Sequence, residues 1–121
     1  MSDLYRDVIL DHWKHPHNFG TLDHPTCDVS EANPLCGDDI RLQVMEKDGM
    51  IFDVKFSGQG CALSQAGASI LTDLIKSEKV SVVRALKEGD FLDAVGIHPN
   101  PARLKCVLLS FVALEKALQS L

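Results

Sequence analysis

Three cysteines and one aspartate carry the residue types most able to do chemistry in this chain. They are Cys36 in Asn33-Pro34-Leu35-Cys36-Gly37-Asp38, Cys61 in Gly58-Gln59-Gly60-Cys61-Ala62, Cys106 in Arg103-Leu104-Lys105-Cys106, and Asp38 itself. A thiolate is both a nucleophile and a soft metal ligand. Glycine beside a cysteine lets the backbone approach an ion or a partner closely and uncovers the sulfur, and Cys36 and Cys61 both sit on such turns. Asp38 follows Cys36 by two residues, so a turn at Gly37 aims both side chains at one point. Three thiolates and a carboxylate make a tetrahedral set suited to zinc and equally to iron-sulfur units. The spacing is long range, however, and lacks the specificity of a paired Cys-x-x-Cys signature. Spacing alone leaves open that these thiols are small buried hydrophobes.

The elements that must position these residues are legible from periodicity. Residues 3 to 14 place Leu4, Tyr5, Val8, Ile9, His12 and Trp13 on one helical face, capped by Ser2 or Asp3 and ended by Pro16. Residues 15 to 34 read as loop, with a short edge strand over Cys27 to Glu31. Ile40, Leu42 and Val44 alternate on one strand and Phe52, Val54 and Phe56 on the next, with Asp48-Gly49 as the hairpin turn. Ser57 to Gly60 breaks the strand, and a helix rich in small residues starts at Cys61, whose amino end favours the thiolate form. Gly67 inside that helix predicts a close packing contact. A shorter helix spans Lys79 to Lys87, residues 90 to 100 read as irregular, and a last helix from about Pro101 to Gln119 buries Leu104, Val107, Leu108, Phe111, Leu114 and Leu118. The expected fold is α+β, a small antiparallel sheet of about three strands with helices packed on one face.

The chain has 121 residues, room for a single domain over 1–121. Hydrophobic residues at 45% and charged residues at 24% are globular proportions. Twelve Lys and Arg against seventeen Asp and Glu give a charge of −5, which repels nucleic acid and anionic lipid. The first residues lack a basic region followed by an apolar run, and no segment is apolar enough to span a membrane. A cytoplasmic protein with four reduced cysteines is expected.

The three cysteine motifs, together with Leu4-Tyr5 and Asp11-His12 through Pro16, Asn18 and Gly20, closely resemble those of the iron-sulfur cluster assembly scaffold family of IscU, SufU and the amino-terminal domain of NifU. The resemblance implies a zinc site, able to carry a transient iron-sulfur cluster, held by Cys36, Asp38, Cys61 and Cys106. It also implies two kinds of partner: a pyridoxal-phosphate cysteine desulfurase that donates persulfide sulfur, and acceptor proteins for clusters. The SufU branch is the nearer, with Cys36 as sulfur acceptor and Arg103, three positions before the last cysteine, steering the anionic persulfide. Lys105 stands where the IscU branch has histidine, and the segment between Cys61 and Cys106 is shorter than is typical of SufU. Two zinc-site alternatives compete: a structural zinc-binding interaction domain without sulfur transfer, and a zinc hydrolase, which would need a histidine-x-glutamate pattern absent here. Outside these motifs, Cys27 reads as a partly exposed spare thiol and His12 as a core or capping residue. His15, His17 and His24 read as surface residues, and His98 as a candidate neighbour of the metal. Tyr5 and Trp13 are expected to fasten the first helix.

Overall fold

The computed structural model describes residues 3–34, 37–96 and 101–121, with the side chains at 3–5 and 101–102 outside that description. Ser2, Cys36, His98 and the Tyr5 side chain therefore lie outside the described residues. Among the described residues three strands and five helices follow in the order α1 (Asp3–Lys14), β1 (Cys27–Asn33), β2 (Asp38–Lys47), β3 (Met50–Gln59), α2 (Ala62–Ile75), α3 (Val80–Arg84), α4 (Glu88–Val95) and α5 (Pro101–Leu118). The strands form one antiparallel sheet in the order β1-β2-β3. Ile40, Leu42 and Val44 of β2 point at the helices and lose all solvent contact, while Arg41 between them stays exposed and grips Asp28 of β1 with two hydrogen bonds of 2.8 and 2.5 Å. Alternation of this kind is what a sheet covered on one face requires.

The β2–β3 hairpin turns at Asp48-Gly49, where both residues take positive φ, 54° and 79°. A two-residue turn of that hand matches the twist of its strands. One predicted feature of the hairpin is corrected. Phe52 does not join the buried face; it is 62% exposed, and Ile51 is fully buried in its place. The pairing steps from Met45↔Asp53 to Glu46↔Ile51, so Phe52 is the extra residue of a β-bulge. Ile51 is free to turn inward because its backbone bonds elsewhere: its N–H donates to Glu78 O, and its carbonyl accepts from Ser77 N–H, each at 2.8 Å.

β1 runs two residues longer than the expected edge strand, pairing from Cys27↔Val44 to Asn33↔Asp38. The loop before it is held too. Gly20 N–H donates to Phe56 O and Phe56 N–H donates to Asn18 O, so residues 18–20 cover the far edge of β3. In α1, Ile9 is buried but Trp13 is exposed, so the tryptophan does not fasten this helix; Ile9 and His12 face α2 instead.

The segment read as irregular contains α4. Lys87 N–H donates to Asp90 Oδ2 at 2.9 Å, Phe91 and Val95 bury side chains one turn apart, and Gly96 closes the helix at φ 81°. The expected helix over Lys79 to Lys87 is correspondingly short. α2 lies centrally, against α1, α5 and the sheet. The close contact expected at Gly67 is present: a Cβ there would meet Val107 O at 3.1 Å. α5 buries Val107, Phe111 and Leu114 as expected, and also Leu109, Ala113 and Ala117, because it is wedged between α2 and the strands β1 and β2. No described helix is long and apolar enough to cross a membrane.

The bulge makes adjacent residues energetically opposite. Ile51→Ala is expected to lower stability by about 2–5 kcal/mol in urea titration, whereas Phe52→Ala should stay within about 0.5 kcal/mol. Equal costs at the two positions would contradict the bulged register.

Candidate functional site

The site forms where three elements end near one another. β2 starts at Asp38, β3 runs out at Gln59 so that Cys61 becomes the residue capping the amino end of α2, and Cys106 lies in the second turn of α5. The ligand atoms of Asp38, Cys61 and Cys106 all lie within 4.8 Å of one another. Asp38 is 2% exposed, Cys106 7%, and Cys61 is open to solvent. Residues far apart in the chain thus present two sulfurs and one carboxylate at a single point with one solvent-facing side.

Asp38 is fixed by backbone. Its Oδ1 accepts the Cys61 N–H at 2.8 Å, placing a carboxylate at the positive end of α2. Its Oδ2 lies 3.6 Å from Cys61 Sγ. That separation matches the edge of about 3.5–3.8 Å between two ligands of a tetrahedral zinc ion. Gly60 makes the approach possible: a Cβ there would fall 2.7 Å from Asp38 Oδ1 and 2.3 Å from Ser64 Oγ. Ser64, which the sequence reading passed over as one more small helix residue, is buried, donates to Cys61 O at 3.0 Å and sits 3.8 Å from Cys61 Sγ. Its position three residues after the cap was the available signal.

Of the predicted metal set, Asp38, Cys61 and Cys106 come together. Cys36 lies outside the described residues, with Gly37 beside it in chain order at φ 71° and donating its N–H to Asn33 O at 3.0 Å. Two thiolates and a carboxylate are a donor set that fits zinc. Arg103 is exposed and stands one helical turn before Cys106 on α5. His98 lies outside the described residues.

Cys27 is not the partly exposed thiol expected. It is 5% exposed, under α5, where its thiol donates to Ala117 O at 3.4 Å. Burial first and Glu46 second push that thiol above the ordinary cysteine range. His17 is exposed, as read from sequence, but it does not stand alone. His17 meets Asp73 with Nδ1 2.5 Å from Oδ2, and the His12 ring lies beside the His17 ring with centroids 4.4 Å apart. Burial, then the neighbouring His17, holds His12 below the usual imidazole pKa against the opposing pull of Asp73 and Asp11. His15 and His24 are exposed, as read from sequence.

Comparison with known proteins follows the same lines. The family model of the NifU-like N terminal domain matches residues 4–121. The zinc-dependent sulfurtransferase SufU of Bacillus subtilis is 36% identical over 133 aligned positions, covering 96% of this chain and 90% of its own. The iron-sulfur cluster assembly scaffold protein IscU of Streptococcus pyogenes is 32% identical, covering 98% of this chain and 85% of its own. A crystal structure from Fervidobacterium islandicum, described as an iron-sulfur cluster assembly scaffold protein for the SUF system, superposes with a TM-score of 0.79 at 25% identity, covering 98% of this chain and 96% of that one.

Two outcomes test the site's geometry. Gly60→Ala should displace the Asp38 carboxylate and lower zinc retention on dialysis, while Cys27→Ala should leave zinc retention unchanged. With metal removed at about pH 8, iodoacetamide should modify Cys61 well before Cys27, whose thiolate is scarce and covered; peptide mass mapping reads the order, and Cys27 reacting first would contradict its placement.

Proposed function

Because the chain belongs to the family of NifU-like amino-terminal domains, we propose that it is an iron-sulfur cluster assembly protein of the SufU type. In this reading it accepts sulfane sulfur from a pyridoxal-phosphate cysteine desulfurase at a zinc site of Cys36, Asp38, Cys61 and Cys106. The observation that carries the reading is the convergence of Asp38, Cys61 and Cys106 within 4.8 Å, at a point that leaves Cys61 accessible. The name of the Bacillus relative, a zinc-dependent sulfurtransferase, supports the same chemistry. Residues 1–121 act as one module. It works in the cytoplasm, where reduced thiols such as Cys27, Cys61 and Cys106 persist.

Zinc, when bound, keeps its ligand thiols deprotonated at neutral pH. The chain's own residues do the rest. The Cys36 thiolate attacks the outer sulfur of the desulfurase persulfide; a new S–S bond forms at Cys36, the S–S bond of the enzyme breaks, and the enzyme cysteine leaves as thiolate. Asp38 is anchored by the Cys61 N–H, so it holds its position while Cys36 engages the partner. Arg103, exposed one turn before Cys106, attracts the anionic persulfide. The scaffold reading, supported by the name of the Streptococcus relative, uses the same residues to hold a nascent cluster as cargo. Asp38 favours release there, because a carboxylate is a harder ligand than a thiolate. Cluster-accepting proteins are then the downstream partners.

Anaerobically purified protein should carry about one zinc per chain at the four-ligand site, and Cys106→Ser should lose most of it. Added to a cysteine desulfurase, the native protein should raise turnover several-fold and Cys36→Ser should not. Arg103→Ala should raise the concentration needed for half-maximal stimulation without changing zinc content. Unchanged turnover with cluster uptake would support the scaffold alone; neither activity, with zinc retained, would reduce the chain to a structural zinc domain.

A further inference from the structure

Away from the cysteine site, three elements bring together a second set of metal-ligating side chains. His12 comes from α1, His17 from the loop that follows it, and Asp73 from the last turns of α2, and their ligand atoms lie within 4.8 Å of one another. We propose that His12, His17 and Asp73 form a separate site for a borderline divalent cation of the zinc class, one that clamps α1 and its loop to α2.

The surroundings hold each ligand in place. Ser69 Oγ, on a fully buried residue, lies 2.7 Å from His12 Nδ1 and accepts the His17 N–H at 2.8 Å, so one hydroxyl sets the placement of both histidines. Asn18 donates to Asp73 Oδ1 at 3.0 Å and to Thr72 Oγ1 at 3.1 Å, leaving Asp73 Oδ2 for His17. Oriented histidines and a hydrogen-bonded carboxylate are the usual outer support of a metal site. Two imidazoles and one carboxylate select zinc-like ions over calcium or magnesium, which prefer oxygen. His17 and Asp73 are 46% and 43% exposed, so water completes the coordination and the ion can enter from solvent.

The two sites are independent. Cys61 and Asp73 stand at opposite ends of α2, about 18 Å apart along its axis at the helical rise of about 1.5 Å per residue. No ligand is shared, and the donor chemistry differs, sulfur-rich at one end and nitrogen-oxygen at the other.

Equilibrium dialysis of the full chain against zinc chloride should give about two ions per chain if both donor sets bind. His17→Gln and Asp73→Asn should each reduce this by one, and circular dichroism should confirm that these exposed substitutions leave the fold intact. With cobalt in place of zinc, both variants should keep the thiolate charge-transfer absorption of the cysteine site. Conversely, Cys61→Ser and Cys106→Ser should abolish that absorption and still bind one ion, lost on adding His17→Gln. The proposal is overturned if the native chain saturates at the ion count of His17→Gln, which would make the histidine-aspartate contact an ion pair and nothing more. Loss of the thiolate absorption in the native chain would sink the cysteine-site reading instead, leaving this one standing.

Discussion

The hydrogen bond from the Cys61 amide to the buried Asp38 carboxylate is the contact on which the site depends. A carboxylate out of water needs partners, and an amide at a helix amino end needs an acceptor. Each answers the other, so the start of β2 and the start of α2 are tied at one place. Bare backbone at Gly60 lets the carboxylate come this close, and Ser64 closes the first turn of the helix beneath the cysteine. Cys61 therefore keeps a fixed position while the residue stays open to solvent.

Cys106 is brought to the same point by the packing of α5 on α2. α5 lies against α2 closely enough that a Cβ at Gly67 would press on the Val107 carbonyl at 3.1 Å, with Phe91 of α4 at ordinary contact distance beside it. Because Val107 follows Cys106 directly, the helix–helix contact sets where that sulfur falls. Interiors this dense transmit small displacements. The core and the metal-competent corner are thus one mechanical unit, in which the well-packed end supports the open end.

α2 has a second role at its other end, where Ser69, Thr72 and Asp73 receive the histidine-bearing segment. Without that segment the edge of β3 would present unpaired backbone, since Asn18 and Gly20 supply its outer hydrogen bonds. The amino-terminal region therefore protects a sheet edge and assembles the histidine corner through the same few residues.

Much of this was readable along the chain. Strict alternation at Ile40, Leu42 and Val44, the Asp48-Gly49 turn, the long amphipathic last helix and the glycine-flanked cysteine motifs are local patterns, and a local pattern survives in one dimension. They determined an α+β fold and a family likeness, and through that likeness singled out Asp38, Cys61 and Cys106, which the fold brings together. What the sequence did not determine depends on long-range partners. Phe52 faces solvent because Ile51 bonds to the segment after α2, Cys27 is buried because α5 lies over it, and α4 forms because Phe91 finds a place beneath Gly67. Likewise, His12 and His17 come together with Asp73 because α1 docks on α2. Periodicity records which face of an element is apolar; only the packed chain decides what that face meets, because burial and hydrogen bonding are properties of neighbours in space.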